Sequence, residues 1–406
     1  MGVLLNRLNN PVCIDANQLN VDKKDLPKKI DIPCAIISNY NKLDVITTPY
    51  IFKKELTENS FFAKVFKVIE FKKIIQNNVY LNPFKEFVPH EGKVEIRWDP
   101  LTNLTSRIVH FPAKKFARFN YESIIKASLD TGCPFCPENI DSMTSKFNKD
   151  MYGSERIERD GITVIPNLLT FDKYCLVAII SKEHFVDMST LRKNNYIIKG
   201  IRALLDVLKI IKENDEQVKY FSINCNYMPM SGGSILHPHM QAIAGEYPTN
   251  YHGIMLKESK DFYLNKKKVF WEALIDEEKR LNERFISKTG KTYWYAPFAP
   301  KGNIDIGCIF EKNSIFELDE NDLSDFNEGF NKVLAYFDKE NVSGFNLSIF
   351  SGIYGEDYFR ANMRIIARRF LPPTNAADAN YFDKIHMENT CVFFPEDVSN
   401  NIRAIW

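Results

Sequence analysis

Two short stretches of this chain concentrate side chains that can do chemistry. In His237-Pro238-His239 two imidazoles stand two residues apart, shortly after Ser231-Gly232-Gly233-Ser234. On a strand, residues two apart point to the same side, so both rings address one site. Gln241 continues that face with a neutral amide able to hydrogen-bond a phosphoryl oxygen. Gly232 and Gly233 allow close backbone approach, and Ser234 adds a hydroxyl beside main-chain N–H groups that can cradle a phosphate. A glycine-serine turn or a histidine pair is common alone; H-x-H-x-Q after such a turn is far more specific. The second stretch, Cys133-Pro134-Phe135-Cys136-Pro137, is a C-x-x-C between turn formers. Taken alone it reads as a metal knuckle, a redox pair or chance.

The elements that must position these groups are legible as a repeat. Val94–Trp98 reads as a strand, Asp99–Asn103 as a turn and Arg107–Phe111 as the return strand. Strands are expected at Gly161–Asn167 and Cys175–Ile180, followed by a helix whose stripe is Ile197, Ile201, Leu204, Leu205, Leu208 and Ile211. Phe221–Asn226 is the next strand and leads into the glycine turn and the histidines. The same order recurs: Trp294–Pro297 opens strands ending near Lys312, a helix carries Leu323, Phe326, Phe330, Leu334 and Phe337, and a strand follows at Phe345–Phe350. In this second copy Asn362-Met363-Arg364 falls roughly where the first has His237-Pro238-His239. The expected class is α+β: duplicated halves, a mostly antiparallel sheet with flanking helices, and an N-terminal accessory region. The boundaries are 1–92 accessory, 93–250 for the half with the cysteine knuckle and the His-Pro-His-x-Gln motif, and 251–406 for the half in which these are degenerate. A mixed helical stretch is expected over Phe61–Ile75.

Composition excludes several function classes. In 406 residues, 53 basic side chains meet 52 acidic ones, and the net charge of +1 gives no whole-molecule field for nucleic acid or an anionic membrane. Eight cysteines in a chain this long, six of them scattered singly, are not a disulfide framework. No apolar run approaches the roughly 20 residues of a membrane span. The expectation is a cytoplasmic protein with neither nucleic acid nor membrane as partner.

With these motifs in order, the sequence resembles the galactose-1-phosphate uridylyltransferase branch of the histidine-triad (HIT) superfamily, over roughly residues 93–250 and more faintly to the end. Cys133-Pro134-Phe135-Cys136-Pro137-Glu138-Asn139 is similar to the family's cysteine knuckle, and Arg97-Trp98-Asp99-Pro100-Leu101-Thr102 to its R-x-x-P-L-T strand and turn. Asn226 stands eleven residues before His237, the spacing of a phosphate-binding asparagine. Ser181-Lys182-Glu183-His184 is similar to the segment bearing a third zinc ligand. The resemblance implies one structural Zn(2+) held by Cys133, Cys136, His184 and His237, and a homodimer. It further implies His239 as nucleophile in a ping-pong transfer through a nucleotidyl-histidine, with Nδ1–H held by a main-chain carbonyl near the preceding histidine. Gln241, Ser234 and amides near Gly232 and Gly233 would stabilise the phosphoryl oxygens. Asn167 would hold the nucleotide, Asn226 the phosphates, and Lys114 would be a further phosphate partner.

The implied partners are a nucleotide sugar or dinucleotide and a phosphate acceptor. The default activity is transfer of UMP between a nucleotide sugar and a sugar 1-phosphate. The alternatives are a phosphorylase cleaving GDP-hexose, ADP-glucose or a diadenosine polyphosphate, and a catalytically silent nucleotide-binding protein. The family's second H-x-H and its hexose-contacting G-Y-E are replaced here by Asn362-Met363-Arg364 and Lys384-Ile385-His386-Met387-Glu388. Arg360, Arg364, Arg368 and Arg369 read either as receivers of a phosphorylated leaving group or as a solvated face.

Overall fold

The computed structural model of the chain describes residues 3–5, 12–14, 68–82, 86, 88–112, 116–371 and 376–406. It divides into two units, Met1–Glu70 and Phe71–Trp406. In the first, Val3–Leu5 pairs antiparallel with Val12–Ile14. Of the expected Phe61–Ile75 helix, residues 61–67 lie outside the described residues, and Lys73–Ile75 opens a strand instead.

In the second unit the elements follow in this order: β1 (Lys73–Asn82), β2 (Val88–Trp98), β3 (Thr105–Val109), β4 (Ile157–Arg159), β5 (Ile162–Pro166), β6 (Tyr174–Ile179), α1 (Tyr196–Asn214), β7 (Tyr220–Tyr227) and β8 (His239–Gly245). Next come α2 (Asn250–Lys266), α3 (Phe270–Leu281), β9 (Phe285–Thr289), β10 (Thr292–Tyr295), β11 (Asp305–Phe310), α4 (Glu320–Lys339), β12 (Gly344–Phe350), β13 (Asn362–Arg368), β14 (Asn389–Cys391) and α5 (Pro395–Arg403). The main sheet has ten strands in the order β9-β10-β11-β13-β12-β7-β8-β6-β5-β4, all antiparallel. The fold is thus α+β with two HIT-like halves, each a run of three strands, a helix and two strands. They join edge to edge where β7 pairs with β12.

Each half covers one face of its sheet with its long helix. The α1 stripe Ile197, Ile201, Leu204, Leu205, Leu208 and Ile211 is buried, as is the α4 stripe Leu323, Phe326, Phe330, Leu334 and Phe337. Each such side chain contributes about 1.5–3 kcal/mol on burial. Both helices also carry a glycine at the point of closest approach. A Cβ on Gly200 would lie 2.7 Å from Ile180 and Met240, and one on Gly329 would lie 2.4 Å from the Trp294 indole. Alternation then sends Met240, Ala242 and Ala244 of β8 into this core, and His239 and Gln241 to the opposite face.

Cross-strand register makes the duplication exact. Gln241 faces Asn224 on β7, Asn224 faces Ser348 on β12, and Ser348 faces Arg364 on β13. The row is symmetric about the β7·β12 seam, so Arg364 is the counterpart of Gln241 and Asn362 that of His239, each opening its strand. The counterpart of His237 is Arg360. Relative to the sequence reading, in which Asn362–Arg364 overlay His237–His239, the register moves the repeat by one two-residue step.

A second, four-stranded sheet has the order β14-β3-β2-β1. Arg97 on β2 is buried and pairs with Glu95 and, at 2.8 Å, with Glu396 of α5. Glu396 also meets Arg284, whose Nε donates to Glu278 of α3. The Asp99 carboxylate closes the next turn by accepting from Leu101 N, Thr102 N and Thr102 Oγ1. The Arg97–Thr102 motif is thereby a structural joint on the side of the second half. Among the described residues no helix is long and apolar enough to cross a membrane.

Candidate active site and metal centre

The Cys133–Cys136 knuckle is a tight turn, closed by Cys136 N donating to Cys133 O and by Asn139 Nδ2 donating to the same carbonyl. It presses both sulfurs against His237, immediately before β8. His237 Nδ1 is 3.7 Å from each sulfur and His184 Nδ1 is 3.3 Å from Cys136 Sγ; all four donor atoms lie within 4.8 Å of one another. Bond lengths of ~2.3 Å to sulfur and ~2.0–2.1 Å to nitrogen give tetrahedral S···N edges of about 3.5 Å, so the group has the size of a tetrahedral zinc site. Tautomers fit as well. His237 Nε2–H donates to Ser181 O at 2.8 Å, which leaves the Nδ1 lone pair for an ion.

Burial pushes the His237 pKa down to about 4, against the pull of its bond to Ser181, and lowers that of His184, so both imidazoles are neutral at pH 7. Burial, then Cys133, drives the Cys136 thiol up to about 12. Two buried thiols beside two neutral imidazoles form a donor set that a divalent cation would stabilise by drawing off thiol protons.

His239 follows on the same strand with only 9% of its surface exposed. Its Nδ1–H donates to the carbonyl of His237 at 2.9 Å, so the lone pair resides on Nε2, which has no protein partner among the described residues. Burial lowers its pKa from the ordinary value and the bond to His237 O opposes this, leaving the ring neutral at pH 7. Phe135 packs edge-on against the ring at 5.4 Å between centroids. The side chain of Gln241, half-buried, carries no hydrogen bond within the protein among the described residues.

The loop before β8 begins with a 3-10 turn at Pro229–Ser231, entered through Met228 at φ 74° and left through Gly232 at φ 87°. Left-handed φ suits glycine at 232; at 233 the requirement is space, since a Cβ would lie 3.0 Å from Asn226 O and 3.3 Å from Met228 O. The Gly232 N–H, read from sequence as a phosphate donor, is spent on Pro229 O. From Gly233 through Ser234, Ile235 and Leu236 to His237, no main-chain N–H has an acceptor among the described residues. Ser234 is exposed with an unengaged hydroxyl.

Of the remaining expected residues, Asn226 lies on the open face, where its Oδ1 accepts from Asn346 of the second half. Asn167 sits at the end of β5 on the same face, and its Oδ1 forms a turn with Leu169 N. Lys114 lies outside the described residues. Three of the four arginines of the cluster are paired through their side chains, Arg360 with Glu272 and Asp357, Arg364 with Asp305, and Arg368 with Asp378, and Arg369 donates to Asp378 through its main-chain N. Sequence reasoning missed Asn346 and the carbonyl of Ser231 altogether. No local motif marks either, and only the pairing of β7 with β12 brings them in.

A sheet joined from two halves, with a knuckle and an H-x-H strand on its open face, is a fold that the chain shares with solved nucleotide-sugar phosphorylase and uridylyltransferase structures. The chain belongs to one family with a protein of Archaeoglobus fulgidus known only as an uncharacterized protein, to which it is 34% identical over 320 residues, 78% of this chain and 93% of that one. Among solved structures, an ADP-glucose phosphorylase from Arabidopsis thaliana with bound ADP-glucose superposes with a TM-score of 0.58 at 18% identity, covering 77% of this chain and 99% of the other. A uridylyltransferase does so with a TM-score of 0.52 at 17% identity, over 76% and 97%. No family model matches the chain.

Proposed function

We propose that the chain transfers a nucleoside monophosphate by ping-pong chemistry on His239. The observation that carries this reading is the tautomer lock: an accepting Nε2, fixed by Nδ1–H to His237 O, next to a loop whose N–H groups from Gly233 to His237 await an acceptor. Nε2 attacks the α-phosphorus of a nucleoside diphosphate compound as the bond to the leaving phosphate oxygen breaks, and the electron pair departs with that oxygen. The free N–H groups and the Asn226 amide offset charge on the non-bridging oxygens, and Gln241 donates to the phosphoryl group. A phosphate acceptor then attacks phosphorus, and the P–N bond returns its pair to Nε2. Gln241 cannot titrate, so it gives water no general base and the intermediate persists until a phosphate arrives.

A metal at Cys133, Cys136, His184 and His237, zinc by donor chemistry, would fix the knuckle to the start of β8. With four protein ligands it would have no open position and supply no chemistry to substrate.

The default donor is a nucleotide sugar and the default acceptor a sugar 1-phosphate. A second reading, phosphorolysis by inorganic phosphate, is favoured by one observation: the second half offers no histidine pair, Arg360 and Asn362 standing at the matching places, and Arg360 is held by Glu272 and Asp357. The A. thaliana structure named as an ADP-glucose phosphorylase shares this fold.

The test is intact-protein mass spectrometry after mixing with UDP-, ADP- and GDP-sugars. One nucleotidyl adduct, acid-labile and absent from His239→Ala, is expected, and its mass identifies the base. Release of the adduct by inorganic phosphate or by hexose 1-phosphate then separates phosphorylase from transferase. No adduct with any donor would leave a nucleotide-binding protein and overturn the reading.

A further inference from the structure

The open face carries a hydrogen-bonded chain that crosses the seam between the halves. Arg368 Nε and Nη2 donate to Asp378 Oδ1 at 2.8 and 2.5 Å, and Arg368 Nη1 donates to Asn346 Oδ1 at 2.7 Å. Asn346 Nδ2 donates to Asn226 Oδ1 at 2.6 Å and to the Ser231 carbonyl at 2.7 Å. Asp378 is held in turn by Arg369 N.

The direction of this chain is forced. A guanidinium only donates, so the Asn346 atom facing Arg368 is its oxygen. The other terminal atom of Asn346 is then NH2, and the Ser231 carbonyl, which only accepts, agrees. Both N–H bonds of Asn346 are thereby spent, and the Asn226 atom they meet must be its oxygen. The Asn226 NH2 is left facing away from the seam with no acceptor among the described residues, on the face that carries His239.

We infer that Asn346 and Arg368, from the half without the H-x-H pair, are positioning residues that fix Asn226 with its donors toward an anionic oxygen of the substrate. An unrestrained asparagine presents its oxygen to an anion as readily as its nitrogen. Anchored by the Arg368–Asp378 ion pair, this one cannot turn over without leaving Arg368 facing an NH2 group. The inference rests on the nucleotide-phosphate reading of the site and assigns the second half a part in it.

The substitution that probes polarity without changing shape is Asn346→Asp. A carboxylate accepts from Arg368 but cannot donate, so Asn226 must flip its NH2 inward to meet it. Affinity for UDP, ADP and GDP, whichever binds wild type, is measured by calorimetry, with adduct formation alongside. A hydrogen bond to a charged group sets the expected loss for Asn346→Asp at roughly 10–100-fold in affinity. Asn226→Ala should lose about as much. The double variant should lose no more than Asn226→Ala alone, because Asn346 acts only through Asn226.

Multiplying losses would show two independent structural defects and overturn the inference, as would an Asn346→Asp protein that binds like wild type. Asn346→Ser, which retains a donor, separates misfolding from misorientation: its affinity should exceed that of Asn346→Asp, and equal losses would also count against the relay. Nucleotide binding with the expected coupling but without adduct would overturn the transfer chemistry and leave the relay standing. No nucleotide binding by wild type would overturn both.

Discussion

At the scale of single residues, the site depends on where hydrogens sit. His237 and His239 are adjacent on one face yet use opposite nitrogens: His237 gives its Nε2–H to Ser181 O, and His239 gives its Nδ1–H to His237 O. One ring thus keeps its lone pair on Nδ1, among the cysteine sulfurs, and the other keeps it on Nε2. Cys136→Ser should lower bound metal from about one ion per chain to well under half, because a serine hydroxyl is a poor zinc ligand. Metal analysis after purification without added metal checks this, and thermal unfolding should shift down in parallel. Gly233→Ala tests the loop. Its Cβ meets two carbonyl oxygens that cannot swing aside, so the expected cost is about 1–3 kcal/mol in denaturant unfolding, with weakened nucleotide binding.

The histidines, the cysteines and Gln241 were legible in the sequence because their spacing is itself the signal. His184 was legible only through the family resemblance, since nothing about a lone loop histidine points to a knuckle 48 residues earlier. Asn346 was not legible at all. Its role depends on a partner 120 residues away, and cross-strand partners leave no local pattern.

At the scale of elements, the amphipathic helices and the succession of helices and strands along the chain were readable from periodicity. The repeat was readable as an order of elements but not in its register, because only cross-strand partners show that Arg364 matches the position of Gln241 and not that of His239. Buried charge was equally invisible. Glu278 of α3 is fully buried with Oε2 unpartnered, and burial raises its pKa to about 7 against the attraction of Arg284. The folded-state value lies above the unfolded one, so this carboxyl's stabilising contribution is complete below about pH 4.5 and is lost as pH rises through about 7. Glu278→Gln should remove that dependence. Urea midpoints at pH 5 and pH 8 are expected to converge in the variant relative to wild type, by an amount on the order of 3 kcal/mol.

At the scale of the whole molecule, β7 is the feature that couples the halves. It carries Asn226 on one face and core residues Ile223, Cys225 and Tyr227 on the other, and its outer edge is covered only by β12. A chain ending at residue 250 would expose that edge along its length, a template for pairing with other chains. Such a fragment is expected to sediment as aggregates and form no adduct, and co-expression with residues 251–406 should restore both solubility and labelling.

The Arg364–Asp305 pair limits what the second half can accept in its place. Asp305 is fully buried and the two groups lie 2.6 Å apart, so neither can change without stranding the other's charge at a cost of about 3–5 kcal/mol. Arg364→Gln, which would place here the residue found at the matching position of the first half, therefore runs uphill in stability. The pair thus makes position 364 answerable to Asp305, and a neutral side chain is accommodated there only together with a matching change at 305.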